Sequence, residues 1–199
     1  PLELKKLLNE IKVNGIIPFS IYARYAFIGK KFLISLKTKK IISDRSYFLL
    51  INSIDSIASN YINFKNKIAR NKKLKKKFYN YFYHLRPGTY DLTVKRYKED
   101  LKSNEIKDIG NVLSYKSHFK NLDRKEMVKI NKFLKNNGIN LDVNSILNFC
   151  IASIKLRENS KFIFTRSLSD MLELIKKFGK TMKLKPKNLS LLKINQILK

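Results

Sequence analysis

The sequence of 199 residues contains no tryptophan, one cysteine, two histidines, six glycines and four prolines. With so few cysteines and histidines, neither an internal disulfide framework nor a Cys- and His-rich zinc site can be built. Strand-rich folds need frequent turns, so the scarcity of glycine and proline favours long helices. The sequence also lacks a GxxxxGK(S/T) phosphate loop, a GxGxxG dinucleotide motif and an HExxH metal motif.

The single cysteine and the longest apolar run indicate where in the cell the protein is expected. Cys150 falls within an apolar stretch and is predicted to be a buried small side chain, not a nucleophile. A chain without disulfides is typical of the reducing cytoplasm, where we expect this protein. Residues 16–36 form the most apolar stretch, but Arg24, Lys30 and Lys31 interrupt it, so no membrane span and no membrane partner are expected.

Acidic residues are scarce as well: 15 Asp and Glu stand against 43 Lys and Arg, which gives a net charge of +28. Such a surface attracts polyanions such as nucleic acid. However, the basic residues comprise 35 Lys and only 8 Arg, and AT-rich codons encode lysine, asparagine and isoleucine. Because phosphate- and base-binding surfaces prefer the planar guanidinium, we favour compositional bias as the origin. Either origin predicts loose, salt-sensitive polyanion binding.

Apolar spacing predicts helices through the first half of the chain. We expect an amphipathic helix near 2–14, ending at Asn14 and Gly15. A helix at 17–37 is apolar on nearly all sides and is therefore predicted to be buried. Ser43 is expected to cap one long helix that continues to Ile68, and a further helix at 74–85 stops before a Pro-Gly turn.

In the second half, Asp123 and Glu126 predict a capping box, and Gly138 ends that helix. Asp142 is expected to cap a long helix to Gly179 with a break near 167–169. The predicted fold is an all-α, multi-helix bundle-like domain with a long ordered loop and no substantial sheet. It forms one domain over 1–199, whose helices group into lobes 1–88 and 123–180 joined by loop 89–122. A basic linker and a short C-terminal helix follow over 180–199.

One stretch, 83–91, concentrates groups that bind anions and move protons. Arg86 is suited to a two-pronged hold on phosphate or carboxylate, and His84 is a candidate catalytic residue that carries a proton. Gly88 lets the backbone approach a ligand closely. The spacing is equally compatible with a structural corner, in which Arg86 pairs with Asp91 and His84 bonds to a carbonyl.

Two further arginines, Arg24 and Arg166, stand in the most apolar helices. A buried charge needs a partner, so each requires either a carboxylate or an anionic ligand. Arg166 can reach Asp170 one turn on, which slightly favours a local pair, whereas both alternatives remain open for Arg24. If anionic ligands are the answer, both arginines should converge with His84, Arg86 and Asp91 on one concave site.

Three stretches resemble the phosphoenolpyruvate synthase-like family. Residues 84–92, followed by Lys-Arg-Tyr at 95–97, are similar to its pattern H-L-R-P-G-T-Y-D-I…P-R-Y and to the H-R-G-P-G-E motif of related rifampicin phosphotransferases. Residues 17–28 resemble its I-P-F-A…A-R-x-A-F-I helix, and residues 161–170 resemble its K-F-x-F-T-R-S-L-S-D helix. All three stretches belong to the central helical region of that family.

The resemblance implies a modular phosphotransferase of the pyruvate, water dikinase type. An ATP-grasp domain phosphorylates a histidine on a swivelling domain, which carries the phosphoryl group to an acceptor site at the helical region. This sequence lacks both the ATP-grasp pattern and the S-H-x-A-I motif of the swivelling domain, so we expect a fragment that is inactive alone. ATP and Mg belong to the full-length protein, with no cofactor held by this chain.

The resemblance also assigns the candidate residues. His84 would be catalytic, and a small anionic acceptor or its phosphate would be bound by the remaining set: Arg24, Arg86, Gly88, Asp91 and Arg166. The alternative is a non-enzymatic basic helical module that binds nucleic acid non-specifically. That alternative predicts that the basic runs 65–77 and 176–187 lie on one outward face.

Overall fold

The computed structural model describes residues 2–88, 90–97, 99 and 122–197, apart from the side chains at 69, 70 and 72. These residues confirm the predicted all-α class, since they contain no strand. Most of the predicted loop 89–122 lies outside the described residues. The α-helices are α1 (Leu2–Ile11), α2 (Ile17–Thr38), α3 (Asp44–Asn52), α4 (Ile57–Arg70), α5 (Lys75–Phe82), α6 (Arg124–Asn136), α7 (Val143–Thr181), α8 (Pro186–Leu189) and α9 (Ile194–Ile197).

The chain divides into two compact units. Unit 1 comprises Pro1–Pro18, Tyr61–Asn111 and Lys161–Lys199, and unit 2 comprises Phe19–Asn60 and Val112–Ser160. The core of unit 1 includes Leu4, Ile11, Leu92, Met171, Ile175, Leu189 and Ile197. The core of unit 2 is formed by Leu33, Leu36, Ile42, Leu50, Ile130, Leu134, Val143, Leu147 and Cys150. Cys150 is therefore a buried core side chain, as its apolar neighbours predict, and burial raises the pKa of its thiol to about 12.

The prediction that the first helix ends at Gly15 is wrong. A π-helical turn, Lys12–Ile16, follows α1 directly and leads into α2. A Cβ atom on Gly15 would lie 2.7 Å from the Cβ of Phe164 on α7. The glycine therefore permits close packing, and the π turn absorbs the change in direction without ending the helix.

The environment of α2 also differs from the prediction. Only one face of this helix is buried, through Ala26, Gly29, Leu33 and Leu36. Several large apolar side chains on its other faces are exposed, among them Ile21, Phe27 and Ile28. The apolar composition of α2 predicted burial on all sides. Burial depends on which faces contact other helices, and in α2 only one face does.

The single helix predicted from Ser43 to Ile68 is two helices. Ser43 caps α3 as expected, since its hydroxyl accepts a hydrogen bond from the amide of Ser46 at 3.0 Å. α3 ends at Asn52, and α4 begins after Ser56, whose hydroxyl accepts from the amide of Ser59 at 3.2 Å. Serine hydroxyls compete for the backbone in this way, which explains the interruption of an otherwise periodic stretch.

The caps predicted in the second half are present. Asp123 and Glu126 form the capping box of α6, and Gly138 follows that helix with φ +69. The amide of Ser145 donates to the carboxylate of Asp142 at 2.9 Å at the start of α7. The predicted break near 167–169 is wrong, because α7 runs without interruption for 39 residues. The hydroxyl of Thr165 donates to the carbonyl of Lys161 within the same helix, so this side chain is satisfied without ending the helix.

Two smaller differences concern helix ends. α5 ends at Phe82, three residues before the predicted Leu85, and the amide of Leu85 then donates to the carbonyl of Phe82 in a turn. Beyond α7, the predicted basic linker contains the short helix α8.

In the part of the chain that the structure describes, no helix has both the length and the apolarity needed to cross a bilayer.

Candidate functional site

The loop after α5 is held in place by Arg86. Its side chain is fully buried, and its Nη1 donates to the carbonyls of Asp91, at 3.1 Å, and of Val94. Its Nη2 donates to Oε1 of Glu173 on α7 at 2.6 Å. Gly88 lies at the tip of this loop with φ +74, a backbone conformation that favours glycine. Arg86 thus ties the turn both to its own continuation and to α7.

Glu173 is the acidic centre of this part of unit 1. Besides Arg86, it accepts from Nζ of Lys176 at 2.6 Å and lies 3.8 Å from Nε of Arg96. Burial alone would raise the pKa of the Glu173 carboxyl, but hydrogen bonds from Lys176 and Arg86 outweigh it and hold that pKa below its usual value. The carboxylate is therefore ionised at neutral pH and neutralises the cations around it.

A second junction joins the loop to α7 through Asp170. Its carboxylate accepts from the hydroxyl of Tyr83 at 3.0 Å and from Nη1 of Arg96 at 2.7 Å. Arg96 also donates to Glu99 at 3.0 Å. Asp170 is therefore occupied by partners from the loop, and the local pair with Arg166 expected from their spacing along the helix is not formed.

Asp91 shapes the loop through its own turn. Its carboxylate accepts from the amide of Thr93 at 2.6 Å and from the hydroxyl of Thr93 at 2.7 Å. These hydrogen bonds, the amide first, lower the pKa of the Asp91 carboxyl. Arg86 contacts the backbone carbonyl of Asp91 and not its side chain, so the pairing considered for a structural corner occurs through the main chain.

His84 is completely buried beneath this network. Its ring lies 4.6 Å from the ring of Phe162 and 5.4 Å from that of Tyr83, measured between centroids. Neither ring nitrogen makes a geometrically sound hydrogen bond among the described residues. Burial and, next, the charge of nearby Arg166 lower the pKa of His84 to about 4, and a hydrogen bond with the carbonyl of Phe162 opposes them only in part. His84 is therefore a neutral imidazole at physiological pH.

Arg166 differs from the other cations of the site. Its guanidinium carbon lies 5.8 Å from the ring centre of Tyr83 and 5.7 Å from that of Phe162, so two aromatic faces hold it. Its Nε is buried without a hydrogen-bond partner. No carboxylate within the described ranges pairs with Arg166. Arg86, Arg96 and Lys176 each have an acidic partner, so Arg166 is where positive charge remains uncompensated.

Four of the five predicted convergent residues belong to unit 1: His84, Arg86, Asp91 and Arg166. Within it, Arg166 acts electrostatically on His84, and both contact Tyr83. Arg24 belongs to unit 2 and its side chain is exposed, so the argument that burial forces a partner on it is wrong. That Arg24 shares a site with the other four stays a prediction.

Sequence reasoning missed several members of the network, namely Tyr83, Arg96, Glu173 and Lys176. One signal was available for Glu173: Arg166, Asp170 and Glu173 are spaced i, i+4 and i+7, which places them on one face of α7. No comparable pattern points to the contacts of Tyr83 and Arg96 with Asp170, because Asp170 lies more than 70 positions from both in the sequence.

Comparisons with family models, with curated proteins and with solved structures find no match to this chain. Among the residues that the structure describes, no group of three or more His, Cys, Asp or Glu side chains is arranged to hold a metal ion. The function must therefore be argued from the chemistry of the site.

Proposed function

We propose that this chain is the helical acceptor-site domain of a phosphoenolpyruvate synthase-like phosphotransferase. The proposal joins the resemblance of residues 84–92 and 161–170 to the chemistry of unit 1, where both stretches lie. His84 and Arg86 come from the first stretch, and Arg166 comes from the second. Two of the three motif stretches thus contribute to the same unit.

The observation that carries the proposal is the state of Arg166 beside His84. In a network where the other cations are neutralised by carboxylates, this guanidinium has none, and its Nε is buried without a partner. The buried hydroxyl of Ser169, one turn beyond Arg166, also lacks a partner among the described residues, and neither ring nitrogen of the adjacent His84 has a hydrogen bond of good geometry. Uncompensated charge together with unsatisfied buried donors favours an anionic ligand with several oxygen atoms.

The residues would then divide their work. Arg166 would bind the phosphate or carboxylate of the acceptor, and neutral His84 would receive or deliver a proton on it. Arg86, Asp91 and Gly88 would hold the loop in position, since Nη1 and Nη2 of Arg86 donate to two carbonyls and to Glu173. For Arg86 this assigns a positioning role where the sequence predicted ligand binding.

The parent enzyme would supply the chemistry that this chain does not. ATP and Mg would bind an ATP-grasp domain, and a phosphohistidine domain would bring the phosphoryl group to the acceptor. A cluster of cations and one imidazole can bind and orient a phosphoryl acceptor but holds no activated phosphate. We therefore expect no turnover of ATP with pyruvate by this chain alone.

The alternative, a basic module that binds nucleic acid, is supported by one observation. Lysines of both basic runs in unit 1 are exposed, among them Lys67, Lys73, Lys75, Lys76, Lys77, Lys177, Lys180, Lys183, Lys185 and Lys187. Exposed lysines attract phosphate backbones through counterion release without reading sequence. This property is compatible with an enzyme domain, so it does not compete with the assignment of the buried site.

An NMR titration of His84 tests the proposal. Its pKa is lowered to about 4, partly by the charge of Arg166, so an anion bound to Arg166 should raise it. We expect phosphoenolpyruvate to move the midpoint of the His84 ring signals upwards, while sodium chloride at the same ionic strength leaves it in place. An unchanged midpoint at saturating phosphoenolpyruvate would rule out an acceptor site beside His84.

A further inference from the structure

Unit 2 contains a pocket that the proposed function does not use. It lies between α2, the end of α3 with the turn that follows, and α7, and its volume is about 300 Å³. Its lining residues are Ala26, Phe27, Lys30, Ile51, Ile54, Ser56, Ile154, Arg157 and Glu158. This volume lies at the lower end of the range found for small-molecule sites, so the pocket suits a small ligand.

The inner wall of the pocket is apolar. Ala26 and Ile54 are almost fully buried, with exposed fractions of 4% and 5%. Ile51 and Ile154 pack against the apolar core of unit 2. Phe27, in contrast, is 62% exposed although it is a large aromatic side chain at the pocket. An apolar group of a ligand would therefore be stabilised against this wall, because it leaves water for contact with hydrocarbon.

The charged residues of the pocket carry an excess of positive charge. Arg157 and Glu158 approach each other at 4.0 Å and largely offset one another. Asp55, next to the lining in sequence, pairs with Lys155 at 3.8 Å. Lys30 has no ion pair with any carboxylate in the described residues. The pocket thus presents one uncompensated ammonium at the edge of an apolar cavity.

We propose that this pocket binds a small organic carboxylate with an apolar body. The carboxylate pairs with Lys30, and the apolar body rests on Phe27 and fills the space against Ile54 and Ala26. An inorganic anion satisfies only the ammonium, and a neutral alcohol satisfies only the apolar wall. A ligand that carries both parts gains from both, and this distinguishes it from the polyanions that the basic surface attracts.

The test uses octanoate as the probe and follows the backbone amides of 26–30 and 154–158 by NMR in the full chain. We expect saturable shifts at these positions with octanoate, and binding at least fivefold weaker with octanol or inorganic phosphate. Lys30→Gln should weaken octanoate binding about fivefold to tenfold, as expected for a lost charge-assisted hydrogen bond. Phe27→Ala should also weaken it.

Lys31→Gln is the matched control, because Lys31 is the adjacent exposed lysine on α2 and does not line the pocket. It removes the same charge from the same helix and should leave octanoate binding within about twofold. The proposal is overturned if both lysine variants weaken binding equally or if octanol binds as well as octanoate. Shifts spread over the whole basic surface, without saturation at these two segments, would overturn it too.

Discussion

Arg86 donates a hydrogen bond of 2.6 Å to Glu173 across 87 positions of sequence, with the arginine side chain fully buried and the glutamate side chain 15% exposed. This ion pair connects the loop that carries the HLRPG motif to α7. Removing the counter-charge of a buried ion destabilises the fold strongly. Removing one member of an exposed ion pair costs little, because water solvates the remaining charge. The pair therefore determines whether the loop keeps its position on the helix.

The first prediction concerns this pair. Glu173→Gln should lower the free energy of unfolding by about 3 kcal/mol, because it leaves the guanidinium of Arg86 buried without a counter-charge. Glu99→Gln removes a more exposed acid, 34% accessible, and should cost less than about 1 kcal/mol. Urea denaturation of both variants beside the parent protein measures the difference. Equal losses would contradict the central role given to Glu173.

A second prediction follows from the pKa of His84, which is lowered from 6.5 to about 4. Between these values the unfolded chain binds a proton that the folded chain does not, so stability falls as the pH falls. The contribution of His84 is fully present above pH 6.5 and decreases by about 1.4 kcal/mol per pH unit below it. His84→Gln should flatten the slope of stability between pH 6.5 and 5, where carboxylates titrate little.

The control for this experiment is His118→Gln, which reports the contribution of the only other histidine in the chain. A slope that survives in His84→Gln and disappears in His118→Gln would show that His84 is not the titrating group. If the slope of stability against pH is unchanged in both variants, histidine titration does not cause it.

The third prediction concerns the packing of α2 on α7 in unit 2. A Cβ atom on Gly29 would lie 2.9 Å from the Cα of Cys150 and 2.8 Å from the Oγ of Ser153. Alanine usually stabilises a helix relative to glycine, but here it meets backbone that cannot move aside. Gly29→Ala should therefore destabilise by about 1–3 kcal/mol in thermal or urea unfolding. The control is Asn148→Ala, at an exposed position of α7, which should be neutral or slightly stabilising. A Gly29→Ala variant as stable as this control would refute the close approach of α2 to α7.

A fourth prediction addresses the net charge of +28. Two duplex DNAs of unrelated sequence should bind with equal affinity, and the affinity should fall steeply and linearly on a logarithmic plot against salt. Fluorescence anisotropy at several salt concentrations measures both properties. Sequence-selective binding that persists at high salt would favour the nucleic-acid module over the enzyme domain.

Local signals in the sequence were sufficient to predict the helix caps. Ser43, Asp123 and Gly138 act within a few residues of themselves, so their capping roles are visible in the sequence and present in the structure. The interruption at Ser56 was missed because the apolar period continues across it. A hydroxyl that competes for the backbone does not disturb such a pattern.

The tertiary environment of a residue was less predictable. Arg24 was expected to be buried because its helix is apolar, yet its side chain is exposed. Arg166 and Asp170 have the spacing of a local ion pair, but Asp170 accepts from Tyr83 and Arg96 instead. Spacing along a helix predicts which of its side chains can form a pair. It does not predict that side chains from a distant loop, here Tyr83 and Arg96, bind the same carboxylate instead.

The most direct test of the proposed acceptor site is the affinity of the chain for phosphoenolpyruvate, measured by calorimetry in three proteins at one salt concentration. We predict that Arg166→Gln weakens binding at least about tenfold, as expected for the loss of a charge-assisted contact. Arg124→Gln removes the same charge from an exposed arginine on α6 in unit 2, outside the lining of the unit 2 pocket, and should leave the affinity within about twofold. Equal affinities of all three proteins, or equal losses in both variants, would contradict the assignment of Arg166 as the anion-binding residue.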